Sequence, residues 1–331
     1  MTVRRLVVAV AGVLAAGACG TAAESGDDPT LAGSTGAFPL TVENCGRSIT
    51  FDAPPERVMA IGGEAGSLLW AAGGADRIST FAPLEGEPLG AAEADLAEPR
   101  QLPIPGSGDI ALEAIVAEDP DLVVTFGLNL TTPEDLAAAG IPTLILGGYC
   151  DRVTGADDDA TTPFDRIYAD IALYGQVLGT EDAARDAVAE LGDRVAAATG
   201  GVLDRAARSA VAVFVSDGES PLGAYGNRST VHQQLSLLGL ENALGDADER
   251  YFEPTVETLI QRAPEVLIAL YQADAMTPEQ VRAALTGRAE LASVPALRDG
   301  SVLVLDFFYT GNGLLAFDGL ERLAAQLEAL P

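Results

Sequence analysis

Lysine is absent from this 331-residue chain: all 19 basic residues are arginine, against 49 acids, for a formal net charge of -30 and a pI near 4.1. Without lysine there is no phosphate loop of the Gly-x-x-x-x-Gly-Lys type. The acidic excess also excludes a nucleic-acid partner, because phosphate backbones are bound by basic side chains that displace counterions. Histidine occurs once, at His232. A zinc or manganese site built from several imidazoles is therefore excluded, and any Ser-His-Asp triad would have to run through that one ring. It opens the helical run Val231-His232-Gln233-Gln234-Leu235 and reads as an ordinary helix residue. No Gly-x-Ser-x-Gly nucleophile elbow occurs. The single tryptophan, Trp70, sits at helical spacing in Ser67-Leu68-Leu69-Trp70 and is expected in the core. The triplet Asp157-Asp158-Asp159 lacks the glycine and distant glutamate of a calcium loop; it reads as a solvated loop.

What is present begins with an export signal. Arg4 and Arg5 precede an apolar run, Leu6 to Ala18, shorter than the roughly 20 residues a spanning helix needs. The run ends Leu14-Ala15-Ala16-Gly17-Ala18-Cys19, which resembles the bacterial lipobox, departing from it at Ala16, where that pattern favours leucine. The resemblance implies a signal peptide over 1–18 and lipidation at Cys19, with an ordinary cleaved signal as the alternative. Residues 19–37 form a Gly/Ser/Thr/Ala/Asp-rich tether, too polar to fold alone. With Cys19 lipidated, Cys45 and Cys150 remain as a pair for one disulfide in an oxidising compartment; two free buried thiols are the alternative.

From Phe38 onward, short β-branched runs alternate with capped helical segments, the pattern of an α/β protein with largely parallel strands. Strands are expected at Arg57–Ile61, Ile78–Phe81, Asp121–Phe126 and Thr143–Leu146 in an N-terminal lobe, residues 38–161. A helical connector follows over 162–200, interrupted at Gly179 and capped by Thr162 and Thr180. A second lobe, 201–331, has strands at Ser209–Val215, Glu265–Leu270 and Val302–Leu305. The lobes share an internal repeat. Leu112-Glu113 through Pro120-Asp121-Leu122-Val123 can be laid over Val256-Glu257 through Pro264-Glu265-Val266-Leu267, each a helix ended by proline, then an acid and a buried strand.

Open α/β sheets bind ligands beyond the carboxyl ends of their strands. The residues expected there are Glu64 and Tyr149 in the first lobe, and Tyr225, Arg228, Arg250, Tyr271, Phe308 and Tyr309 in the second. Planar rings with polar tips, together with arginine, suit a bulky ligand bearing oxyanions.

The stretches Thr41-Val42-Glu43-Asn44-Cys45-Gly46, Ala53-Pro54-Pro55-Glu56-Arg57-Val58, Leu112-Glu113-Ala114-Ile115, Tyr225-Gly226-Asn227 and Asp318-Gly319-Leu320, taken in order, resemble the iron-siderophore and cobalamin class of ABC-transporter substrate-binding proteins. The resemblance implies class III architecture: two Rossmann-like lobes joined by a long rigid helix, with a ligand cleft between them and little closure. It implies a non-enzymatic monomer without a resident cofactor, held on the outer face of the cytoplasmic membrane by its lipid. It further implies that Glu113 and Glu257 pair with arginines of a membrane permease; their bland alternative is to complement the helix dipole. The expected cargo is a ferric siderophore. Heme and cobalamin remain open, with Tyr149 or Tyr271 as a heme-iron ligand, and a secreted α/β hydrolase is the rival from another class. No arginine trio of the kind that holds strongly anionic ferric catecholates is visible in the spacing.

Overall fold

The computed structural model describes residues 38–104, 109–155, 162–200, 208–216 and 221–330. The signal-like segment, Cys19, the tether and Asp157–Asp159 lie outside the described residues.

The first lobe opens with an antiparallel hairpin, β1 (Leu40–Asn44) and β2 (Arg47–Phe51), which the sequence reading did not anticipate. Its two-residue turn places Cys45 at φ 48 and Gly46 at φ 71. Both values are left-handed, as the tight hairpin turn that matches strand twist requires. There follow β3 (Val58–Ile61), α1 (Gly63–Ala71), β4 (Ile78–Ala82), α2 (Glu93–Leu96), β5 (Arg100–Gln101) and α3 (Leu112–Ala117), then β6 (Leu122–Thr125), α4 (Pro133–Ala138), β7 (Thr143–Ile145) and α5 (Cys150–Thr154). The sheet is parallel, in the order β5-β4-β3-β6-β7. Its central strands β3 and β6 are buried along their whole length, which is why they read as unbroken apolar runs. The hairpin is tied to β7 by a side chain that imitates a strand: the Asn44 amide donates to the Ile145 carbonyl and accepts its N–H, both at 2.8 Å. Cys45 is disulfide-bonded to Cys150 just beyond β7, with their Cα atoms 5.0 Å apart.

The connecting segment holds two helices, α6 (Pro163–Leu178) and α7 (Glu181–Thr199), with the break at Gly179, φ 71. Thr162 caps α6 as expected, accepting from the Asp165 N–H. Thr180 does not cap α7: its hydroxyl donates to the Ala72 carbonyl at 2.6 Å, anchoring the break to the end of α1. Tertiary contact has outcompeted the local cap. The second lobe comprises β8 (Arg208–Phe214), β9 (Gly223–Ala224), α8 (Thr230–Leu237), β10 (Leu240–Asn242), α9 (Val256–Arg262), β11 (Val266–Tyr271), α10 (Pro278–Thr286), α11 (Pro295–Arg298), β12 (Val302–Asp306) and α12 (Leu315–Glu328). Here β10-β8-β11-β12 run parallel, and short β9 pairs antiparallel with β8.

The repeat seen in the sequence has a structural counterpart. Asp119 and Ala263, each preceding its proline, adopt φ 50 and φ 46, and β6 and β11 occupy the same interior place in their sheets. The acid after each proline has one job in both lobes, capping the start of a neighbouring strand. The Asp121 carboxylate accepts from the Glu56 and Arg57 N–H groups at 2.9 and 2.8 Å, and that of Glu265 accepts from the Ser209 N–H at 3.0 Å. One apolar core runs from Leu68 and Phe81 through Ile171 and Tyr174 of α6 to Leu235, Phe317 and Leu320. Shared burial of this kind restrains lobe movement more than a polar interface does.

Candidate ligand-binding cleft

The carboxyl ends of the two sheets meet across a cavity of about 970 Å³. Its first-lobe wall is Gly147, Gly148 and Arg152, following β7, joined by Thr162, Pro163 and Arg166 at the start of α6. The opposite wall comprises Tyr225, Asn227 and Arg228, His232 and Gln233 of α8, Arg250 and Tyr251, and Phe307 after β12. Four of the chain's 19 arginines therefore face one cavity. Arg228 forms a two-pronged pair with Asp248, at 2.9 and 2.7 Å. Arg152 and Arg250 both stack on Tyr149, their guanidinium carbons 4.7 and 5.1 Å from the ring centre. That stacking orients the charges without neutralising them.

Beneath the cavity lies a buried polar seam between the lobes. The Glu64 carboxylate, in the first turn of α1, accepts the Asn312 N–H from the opposite lobe at 2.6 Å. Glu87 reaches the same helix end, accepting from the Gly63 N–H at 2.7 Å and the Leu84 N–H at 3.3 Å. Burial, and then the Glu64 charge, push its carboxyl up to about 7. Asp170 of α6 accepts from the Gly147 N–H at 2.9 Å and is likewise raised to about 7 by burial. The Tyr149 phenol is buried and, with Glu64 beside it, held well above the ordinary tyrosine value. Burial pushes the Tyr225 phenol up to about 12.

Of the residues expected at the site, Tyr225, Arg228 and Arg250 line this cavity. Tyr149 is buried against it, and Glu64 joins the lobes beside Tyr149. Tyr271 and Tyr309 line a separate cavity of about 480 Å³ with Asp306, Arg322, Gly86 and Pro88. Phe308 stacks on Phe307 at 4.3 Å and lines neither. Tyr251, which the sequence places beside Arg250 after a strand, lines the cavity as well, and the structure adds Arg152, Arg166 and His232. Arg152 lies three residues beyond Tyr149, so reading one turn further past β7 would have found it. Arg166 gave no signal, because its place depends on how α6 crosses the lobes. Glu113 and Glu257 are exposed in the first turns of α3 and α9, and neither carboxylate has a hydrogen-bond or ion-pair partner among the described residues. No helix among the described residues is long and apolar enough to cross a membrane.

Two α/β lobes with an arginine-rich cavity between them have the architecture of a solute-binding protein. The profile of the periplasmic binding protein family matches residues 63–309, and the chain belongs to that family. It is a family of solute-binding proteins, not enzymes, and its members deliver small ligands to ABC permeases. The structure of an Fe3+-hydroxamate transport system protein from Saccharomonospora viridis is 33% identical, covers 88% of this chain and 99% of its own, and superposes with a TM-score of 0.72. A periplasmic heme-binding protein from Roseiflexus sp. RS-1 shares the fold at 21% identity, covering 83% of this chain and 99% of its own with a TM-score of 0.64. A cobalamin-binding protein of Halobacterium salinarum is 26% identical over 249 residues, 72% of this chain and 60% of the relative's length. The chain thus matches less than two thirds of that relative.

Proposed function

We propose that this protein captures a ferric siderophore-type chelate in the interlobe cavity and hands it to an ABC importer. In this reading Cys19 carries the lipid that holds the exported monomer at the outer face of the cytoplasmic membrane. Glu113 and Glu257 dock one lobe each onto arginines of the permease, and the protein needs no resident cofactor. The observation that carries the cargo assignment is the convergence of Arg152, Arg166, Arg228 and Arg250 with Tyr225 and Tyr251 on one cavity of an otherwise acidic molecule. Arginine forks engage the oxyanions of a chelate, and phenol rings pack against its organic body. The likeness to the Saccharomonospora viridis protein supports a hydroxamate. Cobalamin is the second reading, favoured by the Halobacterium salinarum relative.

Delivery follows from differential affinity: contacts from both lobes favour the closed state, and permease movement that separates the lobes releases the cargo. The test is quenching of tyrosine and tryptophan fluorescence during titration with ferric hydroxamates, ferric catecholates, heme and cobalamin. Saturable quenching by a ferric chelate at sub-micromolar concentration is expected. Quenching by cobalamin alone would install the second reading, and a flat response to all four would overturn both.

A further inference from the structure

His232 lines the cavity, and its surroundings determine which ring nitrogen carries the proton. Its neighbour is Asn242, buried at the end of β10, whose Nδ2 lies 3.3 Å from His232 Nδ1. The backbone settles which way that amide faces. Asn242 Oδ1 accepts the Leu244 N–H at 3.0 Å, and Nδ2 donates to the Tyr225 carbonyl at 3.0 Å. Reversing the amide would set oxygen against oxygen and N–H against N–H, so only the observed orientation satisfies both partners. The second amide hydrogen is then aimed at His232 Nδ1, which must accept it with a lone pair. A neutral imidazole has one ring proton, and here it sits on Nε2. Burial lowers the ring's pKa and so disfavours a second proton. Nε2 itself has no hydrogen-bond partner among the described residues.

We propose that His232 presents an Nε2–H donor to an oxygen acceptor on the cargo and does not ligate its metal, so that the cargo is a chelate whose coordination sphere is complete on arrival. This rests on reading the cavity as the ferric-chelate site. A ligating imidazole must offer its lone pair to the metal; Asn242 holds that lone pair on the other nitrogen. Asp151, Asp248, Glu249 and Tyr251 also line the cavity, but Asp248 is held by Arg228 at 2.7 Å and burial pushes the Tyr251 phenol up. Tyr149 is buried with its phenol beside Glu64, and burial pushes the Tyr225 phenol up to about 12, so both resist losing the proton that phenolate ligation requires. Among the described residues no group of three or more His, Cys, Asp or Glu side chains is placed to hold a metal ion. A chelate that already surrounds its iron needs none of these. Its outward carbonyl and hydroxamate oxygens need donors, and those are what His232 and the four arginines provide.

Because the chain has one histidine, long-range 1H–15N correlation on the intact chain with 15N-labelled histidine reports a single ring. The expected pattern is protonated Nε2 and bare Nδ1, and it requires no cargo; protonated Nδ1 would overturn the tautomer. Addition of the gallium(III) complex of desferrioxamine, a diamagnetic stand-in for the ferric hydroxamate, should shift the Nε2–H resonance and slow its exchange. His232→Ala should weaken that complex by about three- to tenfold, the worth of one hydrogen bond. Tight binding with an unmoved ring resonance would overturn the contact while sparing the cargo reading. Failure of the complex to bind at all would overturn the cargo reading, and the contact with it. Heme added to the wild type should give no imidazole-ligated spectrum. Asn242→Asp replaces the donor by an acceptor, moves the proton to Nδ1 and should create one. An imidazole-ligated heme spectrum already present in the wild type would overturn the proposal.

Discussion

The Asn312 N–H donates to the Glu64 carboxylate across 2.6 Å, joining the loop after the last strand of one lobe to the first helix of the other. Glycine makes this approach possible. A Cβ on Gly311 would strike the Glu64 carboxylate, one on Gly148 would strike the Asn312 side chain, and one on Gly313 would lie 3.0–3.1 Å from Glu64 Cα, Cβ and Cγ.

Gly313→Ala should therefore force the lobes apart at this contact. Overpacking costs about 1–3 kcal/mol, so a melting point several degrees lower and weaker cargo binding are expected together, by calorimetry and fluorescence titration. Glu64→Gln retains an acceptor for the Asn312 N–H and should keep most of the affinity. Unchanged melting and affinity in Gly313→Ala would show that the seam does not set lobe spacing.

Acidity should affect this molecule in an uncommon direction. Glu87 and Asp170 are raised from ordinary values of 4.5 and 3.8 to about 7, so between those values the folded state holds protons that the unfolded chain has released. Stability from these two groups is present in full below about pH 4 and declines as pH rises to about 7. Acids held low by their partners, such as Glu118 beside Arg100 and Asp248 beside Arg228, act oppositely and lose their contribution on acidification below their unfolded range. The melting point should fall from pH 5 to pH 7.5, and Glu87→Gln with Asp170→Asn should flatten that decline.

Reduction of the Cys45–Cys150 bridge opens a loop spanning 105 residues. Loop entropy assigns such a crosslink about 4–5 kcal/mol. Because Cys150 directly follows Tyr149, dithiothreitol or Cys45→Ser with Cys150→Ser should lower both the melting point and cargo affinity. Loss of stability with affinity intact would show that Tyr149 is positioned without the bridge.

Arg152 and Arg250 flank the Tyr149 ring. Arg152→Ala should weaken binding of a chelate carrying net negative charge by tenfold or more, with a smaller effect on a neutral one. The difference should shrink as salt is raised, because screening weakens exposed charge pairs. Equal losses for both cargoes at every salt concentration would assign Arg152 a packing role.

Glu113→Lys combined with Glu257→Lys should abolish uptake in cells while leaving the affinity of the purified protein unchanged, since both carboxylates are exposed in the first turns of α3 and α9. Loss of affinity instead would sink the docking assignment.

Much of the fold was legible because its signals are local. The apolar runs of β3, β6 and β11, the prolines that end α3 and α9, and the Thr277–Gln280 capping box announce themselves within a few residues. The β1–β2 hairpin is not legible because its alternation is short and its stability comes from elsewhere, through the hydrogen bonds of Asn44 to Ile145 of β7 and the bridge to Cys150. Tyr225, Arg228 and Arg250 were legible as aromatic and basic residues in the loops that follow strands of the second lobe, although Tyr225 and Arg228 follow the short antiparallel β9 and not a parallel strand.

By itself the sequence determined the α/β alternation, the duplicated lobes and an acidic surface hostile to nucleic acid, all of which follow from composition and short-range periodicity. Only the tertiary structure decided that Arg152 and Arg166 join Arg228 and Arg250, that Tyr271 and Tyr309 line a different cavity, and that Asn242 sets the proton of His232. Those relationships join residues from different elements, and their distances depend on how one lobe, the connector and the other lobe pack against each other.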